Sequence, residues 1–402
     1  MVASGFVAPT AFAFLPDGRI LVTEQAGVVR LVSEGVVVTE PFLDLRERVN
    51  DFDDRGLLAV APDPGFAING EVYLLYVYDY DGASPESARV ARVSRFTAAG
   101  NAAQLETETI ILGKQGATTC DLLPRGADCL PADFESHTGG AIEFAADGSL
   151  FVSTGEGAPN RDFSHAWRAQ DLDYLGGKVL HVAADGQGLP TNPFWNGDPS
   201  ANRSKIWAYG LRNPFRMTLS SIEGQPLVGD VGSTAWEELN LVPRGANLGW
   251  PCYEGNRPTP EFQHERLCRR MYERVESGEA VVQWPLHAIG HHLANAIVGG
   301  TFYTAMNYPA EYRGAYFFGD AVRGFISTLR LNEKGEPIEG PRSFGTAMEG
   351  PVAIEVGPDG NLYYLSIYGG ELRRIRYIGA PQAERTETHF GESRNAAIQT
   401  DP

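Results

Sequence analysis

Three segments of the chain repeat one hairpin pattern, and this repeat limits the possible folds more than any other feature. In each segment, apolar and polar residues alternate into an Asp-Gly turn, and a second alternating stretch follows. Asp-Gly supplies the positive φ angles that a tight hairpin needs, and alternation with period two is typical of half-buried strands. The copies begin at Phe12, Ile142 and Ile354. The repeat therefore predicts a protein built from antiparallel β units.

Looser copies follow Gly56, Ile206 and Gly299, which gives six units. Because repeated antiparallel sheets must hide their edges, and radial closure does so, we predict an all-β, six-bladed β-propeller with long loop insertions on one face. A β-sandwich or two separate β domains is the alternative. The insertions are expected at residues 114–136, 157–205 and 252–296. We expect residues 1–379 to form the propeller and residues 380–402, which lack an apolar period, to form a flexible tail or linker.

Charge and hydropathy narrow the classes of function. The formal net charge is -18, which argues against nucleic acid and anionic membrane surfaces as partners, because both select basic faces. A neutral or cationic ligand is compatible with this charge. No run approaches the roughly 18 apolar residues of a membrane helix, so we expect no membrane span.

The cysteines form two local pairs, Cys120 with Cys129 and Cys252 with Cys268. No Cys-x-x-Cys motif is present, and no histidine clusters with the cysteines, so two disulfides are favoured over metal ligation. Disulfides that close loops indicate a periplasmic or extracellular protein, and the opening Met is then interpreted as replacing a removed signal peptide. Free cytosolic thiols are the alternative.

His137 and Glu156 are the candidate catalytic groups. His137 lies just before a predicted strand and Glu156 just after the next one, with a single reversal at Asp147-Gly148 between them. The two loops should therefore open at the same end of the sheet. A carboxylate on one imidazole nitrogen would orient the ring as a general base. The alternative is a histidine bonded within its own loop, with Glu156 facing solvent.

Two further segments could bind an anionic ligand and a cation. Arg212 offers a planar fork suited to a carboxylate or a quinone oxygen, with the neutral donor Asn213 beside it. The turn at Gly232 and Ser233 has two backbone carbonyls that could face a hard cation such as calcium, and three nearby acids could hold the turn or bind the ion: Asp230, Glu237 and Glu238. The alternatives are a structural arginine and solvated acids. The remaining candidate histidines, His181, His291 and His292, are interpreted as core or loop residues.

No phosphate loop or dinucleotide fingerprint is present, so an oxidation on this scaffold would need another kind of cofactor. The segments His137-Thr-Gly-Gly, Gly210-Leu-Arg-Asn-Pro and Gly249-Trp-Pro, in this order, resemble the soluble quinoprotein glucose and sorbosone dehydrogenases. Those enzymes are six-bladed propellers that use pyrroloquinoline quinone (PQQ) and calcium to oxidise aldoses. The resemblance runs from about Gly5 to Tyr377.

The resemblance implies a role for each candidate residue. His137 would remove the proton of the anomeric hydroxyl while hydride passes to the quinone, and Glu156 would orient His137. Arg212, counted with the catalytic residues, and Asn213 match the quinone-contacting pair. The carbonyls of Gly232 and Ser233 match the positions that bind the calcium.

Other positions depart from the family pattern. Tight quinone binders carry a Gln where this chain has Asp54-Arg55, a Lys where Val322 stands, and two arginines where Gly350 and Val352 stand. Because PQQ has three carboxylates, unpaired charge in a partly dry site is costly. Asp54, Arg55 and Arg323 are the residues left here that could contact the cofactor. This pattern resembles a divergent branch of the family, the propeller of hedgehog-interacting proteins.

We therefore predict a secreted, PQQ- and calcium-dependent dehydrogenase that oxidises an aldose sugar to its lactone and passes electrons to an external acceptor. The first alternative is a non-enzymatic propeller that binds carbohydrate or protein and retains a relic site. The second is a lactonase-type hydrolase with a metal held by carboxylates and an Asn in the central channel.

Overall fold

Six antiparallel sheets form a closed ring, which confirms the predicted six-bladed β-propeller. The computed structural model describes residues 1–80, 82, 84–379 and 398–400. The innermost strand of every blade contacts the innermost strands of both neighbouring blades, so the sheets surround a central channel. The outermost strand of the last blade is the N-terminal strand Ala3–Ser4, which pairs with Glu371–Tyr377 and closes the ring.

The blades follow one another along the chain, and their strands are given from the channel outwards. Blade 1 contains Pro9–Phe14, Ile20–Glu24, Val28–Ser33 and Val36–Val37, with Leu43–Asp44 also paired to its third strand. Blade 2 contains Leu57–Pro62, Glu71–Tyr78, Arg89–Ala99 and Ala102–Leu112, with Leu130–Ala132 also paired to its third strand. Blade 3 contains Gly139–Phe144, Leu150–Thr154, Lys178–Val182 and Ile206–Tyr209. Blade 4 contains Pro214–Leu219, Pro226–Asp230, Trp236–Leu241 and His287–Gly290. Blade 5 contains Ile297–Phe302, Tyr316–Asp320, Phe325–Leu329 and Arg342–Thr346. Blade 6 contains Pro351–Val356, Leu362–Ser366, Glu371–Tyr377 and Ala3–Ser4, with Ile398–Thr400 also paired to its third strand.

The remaining elements are short and lie in the connections. A small hairpin pairs Tyr253–Glu254 with Arg257–Pro258. The α-helices are Phe66–Asn69, Phe163–Ala166, Asn202–Lys205 and Arg266–Glu276. The 3-10 helices are Cys120–Leu122, Trp167–Gln170 and Ala310–Tyr312.

The predicted Asp-Gly hairpins join the first two strands of blades 1, 3 and 6. Their glycines, Gly18, Gly148 and Gly360, have φ angles of 88°, 83° and 76°, as the turn requires. One looser copy was assigned to the wrong element: Ile206–Tyr209 is the outermost strand of blade 3, and blade 4 begins at Pro214. Alternating apolar residues predict a strand at residue 206, but they do not show its place within a blade.

Several insertions gather at the end of the channel opposite the Asp-Gly turns, which we call the mouth. Residues 113–138 connect blade 2 to blade 3 there, and residues 155–177 connect two strands of blade 3. The rest of the second insertion, residues 183–205, joins two strands at the other end of blade 3. The third insertion begins in blade 4 and reaches the mouth, where Glu254 contacts residues 233–236.

Both predicted disulfides are present. Cys120 is bonded to Cys129 and Cys252 to Cys268, and no free cysteine is found. The segment predicted to be a tail or linker, 380–402, lies outside the described residues apart from Ile398–Thr400.

A cavity of about 270 Å³ occupies the central channel and is lined by the innermost strands. Arg216 crosses the channel wall and donates hydrogen bonds to the carbonyls of Thr10 and Val352, in blades 1 and 6. Glu143 and Glu355 line the same cavity. Burial raises the pKa of Glu355 to about 7, although the nearby charge of Arg216 opposes the shift. The channel therefore contains carboxyl groups that resist ionisation.

We expect Glu355→Gln to stabilise the protein at pH 8 and to have little effect at pH 4. Below the ordinary glutamate pKa of 4.5, Glu355 is protonated in both the folded and the unfolded state. As the pH rises towards the folded value of about 7, only the unfolded state gains by losing the proton, so stability falls. The variant removes a penalty of about 2–3 kcal/mol, or roughly 3 °C in melting temperature.

Calorimetry across this pH range, with the exposed Glu40→Gln as the control, checks the expectation. A Glu355→Gln variant that melts lower than the parent protein at pH 8 would contradict it.

Candidate functional site

Close backbone contacts bring the His137 loop and the Glu156 loop together at the mouth. Gly157 donates its N–H to the His137 carbonyl at 3.0 Å. A Cβ on Gly155 would lie 1.9 Å from that carbonyl oxygen, so only glycine fits this position. His137 itself has a φ of 60°, in the left-handed region, which is uncommon for a residue other than glycine. The local backbone is therefore specialised to place the His137 ring beside Glu156.

His137 and Glu156 form a buried hydrogen-bonded pair. The imidazole Nδ1 lies 3.1 Å from Oε1 of Glu156, and the two residues are 5% and 1% exposed. The second carboxylate oxygen, Oε2, accepts a hydrogen bond from the indole Nε1 of Trp250 at 2.5 Å. A carboxylate that accepts at both oxygens assigns the ring proton to Nδ1. Within the described residues no group bonds Nε2, which leaves its lone pair available to a substrate.

Arg212 and Asn213 lie at the same mouth, bonded to both of these loops. The carbonyl of Arg212 accepts the N–H of Glu156 at 2.9 Å, and Oδ1 of Asn213 accepts the N–H of Gly139 at 2.9 Å. The Arg212-Asn213 turn is held from below by Asp230, whose two oxygens accept the N–H groups of both residues. Burial raises the pKa of Asp230 to about 7 against these donors. The side chain of Asn213 thus helps to build the site.

The turn containing Gly232 and Ser233 is organised by Glu254, a residue that the sequence analysis missed. Its Oε1 accepts hydrogen bonds from four consecutive backbone N–H groups, those of residues 233–236, at 2.7–3.1 Å. A Cβ on Gly232 would lie 1.7 Å from the Trp236 carbonyl oxygen, so the turn also requires glycine. The three acids predicted to hold this turn or a calcium ion have other contacts. Asp230 holds the Arg212 turn, Glu238 accepts from Gly255, and Glu237 lies 2.9 Å from Nε2 of His291.

The guanidinium of Arg212 covers one of the predicted calcium-binding carbonyls. Its Nη1 donates to Gly232 O at 2.6 Å and to Val231 O at 3.0 Å, and its Nη2 donates to Oδ1 of Asn160 at 3.0 Å. Nε of Arg212 is buried without a partner among the described residues. The enclosed space beside Arg212, Gly232 and Trp250 is only about 10 Å³.

The residues predicted to replace the missing quinone contacts are divided between the mouth and the interior. Asp54 is solvent-accessible at the mouth, where partial desolvation, followed by the charge of Asp53, raises its pKa. Arg323 is exposed and donates from Nη2 to the His291 carbonyl at 3.3 Å. Arg55, in contrast, is fully buried, and its guanidinium donates to backbone carbonyls of two loops, including Pro85 and Ala132. Its donors are thus occupied by backbone carbonyls, and its role as a cofactor-binding residue stays a prediction.

The three positions at which the family pattern has a Lys or an Arg carry no charge in this chain. Val322 is 57% exposed. Gly350 has a φ of 74° and lies under the ring of Tyr368, which is 69% exposed. Val352 is buried, and its carbonyl accepts from Arg216 in the channel wall. Arg323 is thus the predicted cationic residue that the structure places at this side of the mouth.

The donor set at the mouth fits one part of a PQQ–calcium complex. The unpartnered Nε of Arg212 could donate to a quinone or carboxylate oxygen, and the carbonyls of Gly232 and Ser233 are ligands that calcium accepts. The enclosed space of about 10 Å³ does not admit a three-ring quinone, so binding at Nε would require the side chain of Arg212 to move. Calcium at Gly232 would require the guanidinium of Arg212 to leave that carbonyl, because two cationic groups cannot share it closely.

Sequence reasoning missed Trp250, Glu254 and Lys178, and placed His291 outside the site. Lys178 is fully buried, and its Nζ donates to the carbonyls of Arg168, Ala169 and Gly176. Burial lowers its pKa to about 7, while the charges of Asp171 and Glu156 oppose the shift. Of these residues, only Trp250 carried a usable signal, because it lies in the Gly249-Trp-Pro segment.

The fold and the site together define a β-propeller with a carboxylate-oriented histidine at one mouth of its channel. Comparison with known proteins identifies the family. The family model described as Glucose / Sorbosone dehydrogenase matches residues 6–374, and the chain belongs to this family.

Three relatives show the range of similarity. The chain is 26% identical to the aldose sugar dehydrogenase YliI of Escherichia coli, covering 91% of this chain and 89% of that protein. It is 24% identical to the hedgehog-interacting protein of Homo sapiens, covering 86% of this chain but 46% of the human protein. A crystal structure of a glucose dehydrogenase is 26% identical and superposes with a TM-score of 0.71, covering 92% of this chain and 97% of the other. Proteins named as sugar dehydrogenases and a protein named as hedgehog-interacting are thus both similar to this chain.

Two further properties concern only the described part of the chain. None of its helices has both the length and the hydropathy that a bilayer crossing requires. No group of three or more His, Cys, Asp or Glu side chains is arranged there to hold a metal ion.

Proposed function

We propose that the protein is a PQQ- and calcium-dependent dehydrogenase that oxidises an aldose sugar to its lactone. The observation that carries the proposal is the buried pair of His137 and Glu156, with Nδ1 and Oε1 3.1 Å apart and Nε2 unbonded, beside Arg212 at the same mouth. A histidine oriented in this way is the base that removal of a hydroxyl proton requires. Membership of the Glucose / Sorbosone dehydrogenase family supports oxidoreductase chemistry of this class.

His137 takes the proton from the anomeric hydroxyl at Nε2. Its Nδ1–H stays bonded to Glu156, so the imidazolium that forms is stabilised by an adjacent buried carboxylate. When bound, PQQ supplies the acceptor for the hydride that leaves the anomeric carbon. The sugar thereby loses one hydride and one proton and becomes the lactone.

Arg212 and the Gly232-Ser233 turn would hold the cofactor. The unpartnered Nε of Arg212 is a charged donor for a quinone or carboxylate oxygen, and the two carbonyls would bind calcium once Nη1 leaves Gly232. Asp230 and Glu254 keep both turns in place from below. Arg323 and Asp54 would border the cofactor at the open mouth. There Arg323 would attract a carboxylate of the cofactor, and Asp54 would repel it.

The compartment in which the protein works is inferred from its disulfides. Cys120–Cys129 and Cys252–Cys268 both close surface loops, which is typical of periplasmic or extracellular proteins. We infer that the protein works outside the cytoplasm, on a small sugar, with an external electron acceptor that reoxidises the cofactor.

A non-enzymatic binding propeller is the second candidate, and specific observations favour it. The Gly232 carbonyl is already bonded to Arg212, and Val322 and Gly350 stand where tight quinone binders carry cations. The hedgehog-interacting relative matches most of this chain. A lactonase-type hydrolase has less support, because the described lining of the channel contains Glu143, Glu355 and Arg216 and lacks an asparagine.

An assay of dye reduction separates these candidates. Protein loaded with calcium and saturating PQQ is given hexoses, pentoses and disaccharides with an artificial electron acceptor. The proposal predicts turnover with at least one aldose, dependent on both PQQ and calcium. No turnover with any sugar, together with calorimetric binding of a glycan but not of PQQ, would select the binding propeller.

A further inference from the structure

A third buried residue, Trp250, contacts the proposed base pair of His137 and Glu156. Glu156 is held at both oxygens: Oε1 by Nδ1 of His137 at 3.1 Å and Oε2 by Nε1 of Trp250 at 2.5 Å. All three residues are buried: His137 is 5% exposed, Glu156 1% and Trp250 5%. From these contacts we infer that Trp250 is a positioning residue, which fixes the Glu156 carboxylate so that it orients the His137 imidazole.

The indole can do this because it is itself fixed on several sides. The backbone N–H of Trp250 donates to the Gly210 carbonyl at 3.0 Å. The backbone carbonyl of Trp250 accepts from Nε2 of Gln170 at 2.7 Å. Its ring meets Phe262 edge to face, with centroids 5.8 Å apart. The guanidinium carbon of Arg212 lies 5.5 Å from the ring centroid. The indole therefore cannot turn away without disturbing both the backbone and the Arg212 side of the mouth.

The hydrogen bond matters because Glu156 could otherwise rotate. A carboxylate held at one oxygen by a neutral imidazole has two competing options, since it can rotate about its last torsion or take up a proton. The indole N–H of Trp250 prevents this rotation because it fixes Oε2. It also disfavours the second, because a hydrogen bond to the ionised form stabilises that form.

The third insertion of the chain, residues 252–296, packs against Trp250 and so supports its contact with Glu156. Trp250 and Glu156 are separated by 94 residues, and Trp250 lies two residues before the segment that the Cys252–Cys268 disulfide closes. Buried residues of this segment pack with Trp250, among them Cys252, Phe262, Cys268 and Met271. The insertion thus acts as a support for the base.

The test uses Trp250→Phe, which keeps an aromatic ring and removes the N–H donor. Trp207→Phe is the matched control, because the indole of Trp207 also donates one hydrogen bond, to the Val242 carbonyl at 2.9 Å, away from the site. Proteins labelled with 15N at the histidine rings give the protonation state of each ring nitrogen by NMR, and His137→Asn assigns the signals of His137. This readout needs neither cofactor nor sugar.

We expect the parent protein and Trp207→Phe to show a single His137 tautomer, with Nδ1 protonated and its proton strongly downfield. In Trp250→Phe, and in Glu156→Gln as a reference, that signal should weaken and the two tautomers should mix. The inference rests on the proposed function for its catalytic consequence, which is a fall of roughly 10- to 100-fold in kcat while the Kd for PQQ is unchanged. A Trp250→Phe protein with the parent His137 spectrum would overturn the inference, even if its kcat fell.

A second measurement covers the case in which Trp250→Phe does not fold. In the parent protein, the Trp250 Nε1–H signal should lie downfield of the other indoles and exchange slowly with solvent. In Glu156→Gln it should move upfield and exchange faster, and an unchanged signal would overturn the inference. If these couplings are present but no sugar is oxidised, the proposed function fails while the positioning role stands.

Discussion

His137→Asn is expected to reduce the PQQ-dependent oxidation of sugar by about a thousandfold or more, because it removes the base that accepts the hydroxyl proton. Asparagine is the replacement of choice, since it is among the residues that best tolerate the left-handed backbone found at position 137, where φ is 60°. The variant should therefore keep its fold and bind PQQ. The measurements are kcat in the dye-reduction assay and the Kd for PQQ by fluorescence.

The matched control for this prediction is His264→Asn, which changes an exposed histidine that lies outside the site. It should retain the parent activity. A His137→Asn protein that folds, binds PQQ and keeps more than about a tenth of the parent kcat would show that another group takes the proton.

Glu254→Ala should have the largest effect on stability, with a loss of about 3–5 kcal/mol, or roughly 4–6 °C in melting temperature. The reason is that Oε1 accepts four partly buried backbone N–H groups, and removing the carboxylate leaves all four without their protein acceptor. The same turn carries the Gly232 and Ser233 carbonyls. We therefore expect calcium-dependent PQQ binding to be lost at temperatures where the variant remains folded.

Glu261→Gln provides the comparison, because Glu261 contacts the same turn through a single hydrogen bond from Oγ of Ser233 at 3.1 Å. Its effect should stay below about 1 kcal/mol. Equal losses of stability in the two variants, measured by thermal denaturation, would mean that the four backbone bonds do not organise the turn. If folded Glu254→Ala still bound PQQ in a calcium-dependent way, the turn at Gly232 and Ser233 would not be needed to hold the cofactor.

Local features of the sequence were sufficient for the architecture and for the central pair. The Asp-Gly hairpins indicate their own turns, because the positive φ is a property of the residues themselves. His137 and Glu156 could be paired because one hairpin separates them, and antiparallel strands return the chain to the same end. The two disulfides could be paired because each closes a short loop.

Contacts between distant segments could not be derived in this way. Trp250 reaches Glu156 across 94 residues of sequence, and the insertion that follows Trp250 has no period that indicates where it folds back. Arg55 was predicted as a cofactor contact because it stands where the family carries a Gln, whereas its buried side chain donates to loop carbonyls. Alternation gives the face of a strand residue, whereas the direction of a loop side chain depends on the acceptors that surround it.

The central claim is that the mouth of this propeller holds a working redox site, with His137 as its base. The visible absorption spectrum of the protein after addition of PQQ and calcium, followed by an aldose, tests it most directly. The account predicts that the bound quinone absorbs in the parent protein and bleaches when sugar is added, and that it does not bleach in His137→Asn. A quinone spectrum identical to that of free PQQ, and unchanged by any sugar, would contradict the account and leave a binding propeller.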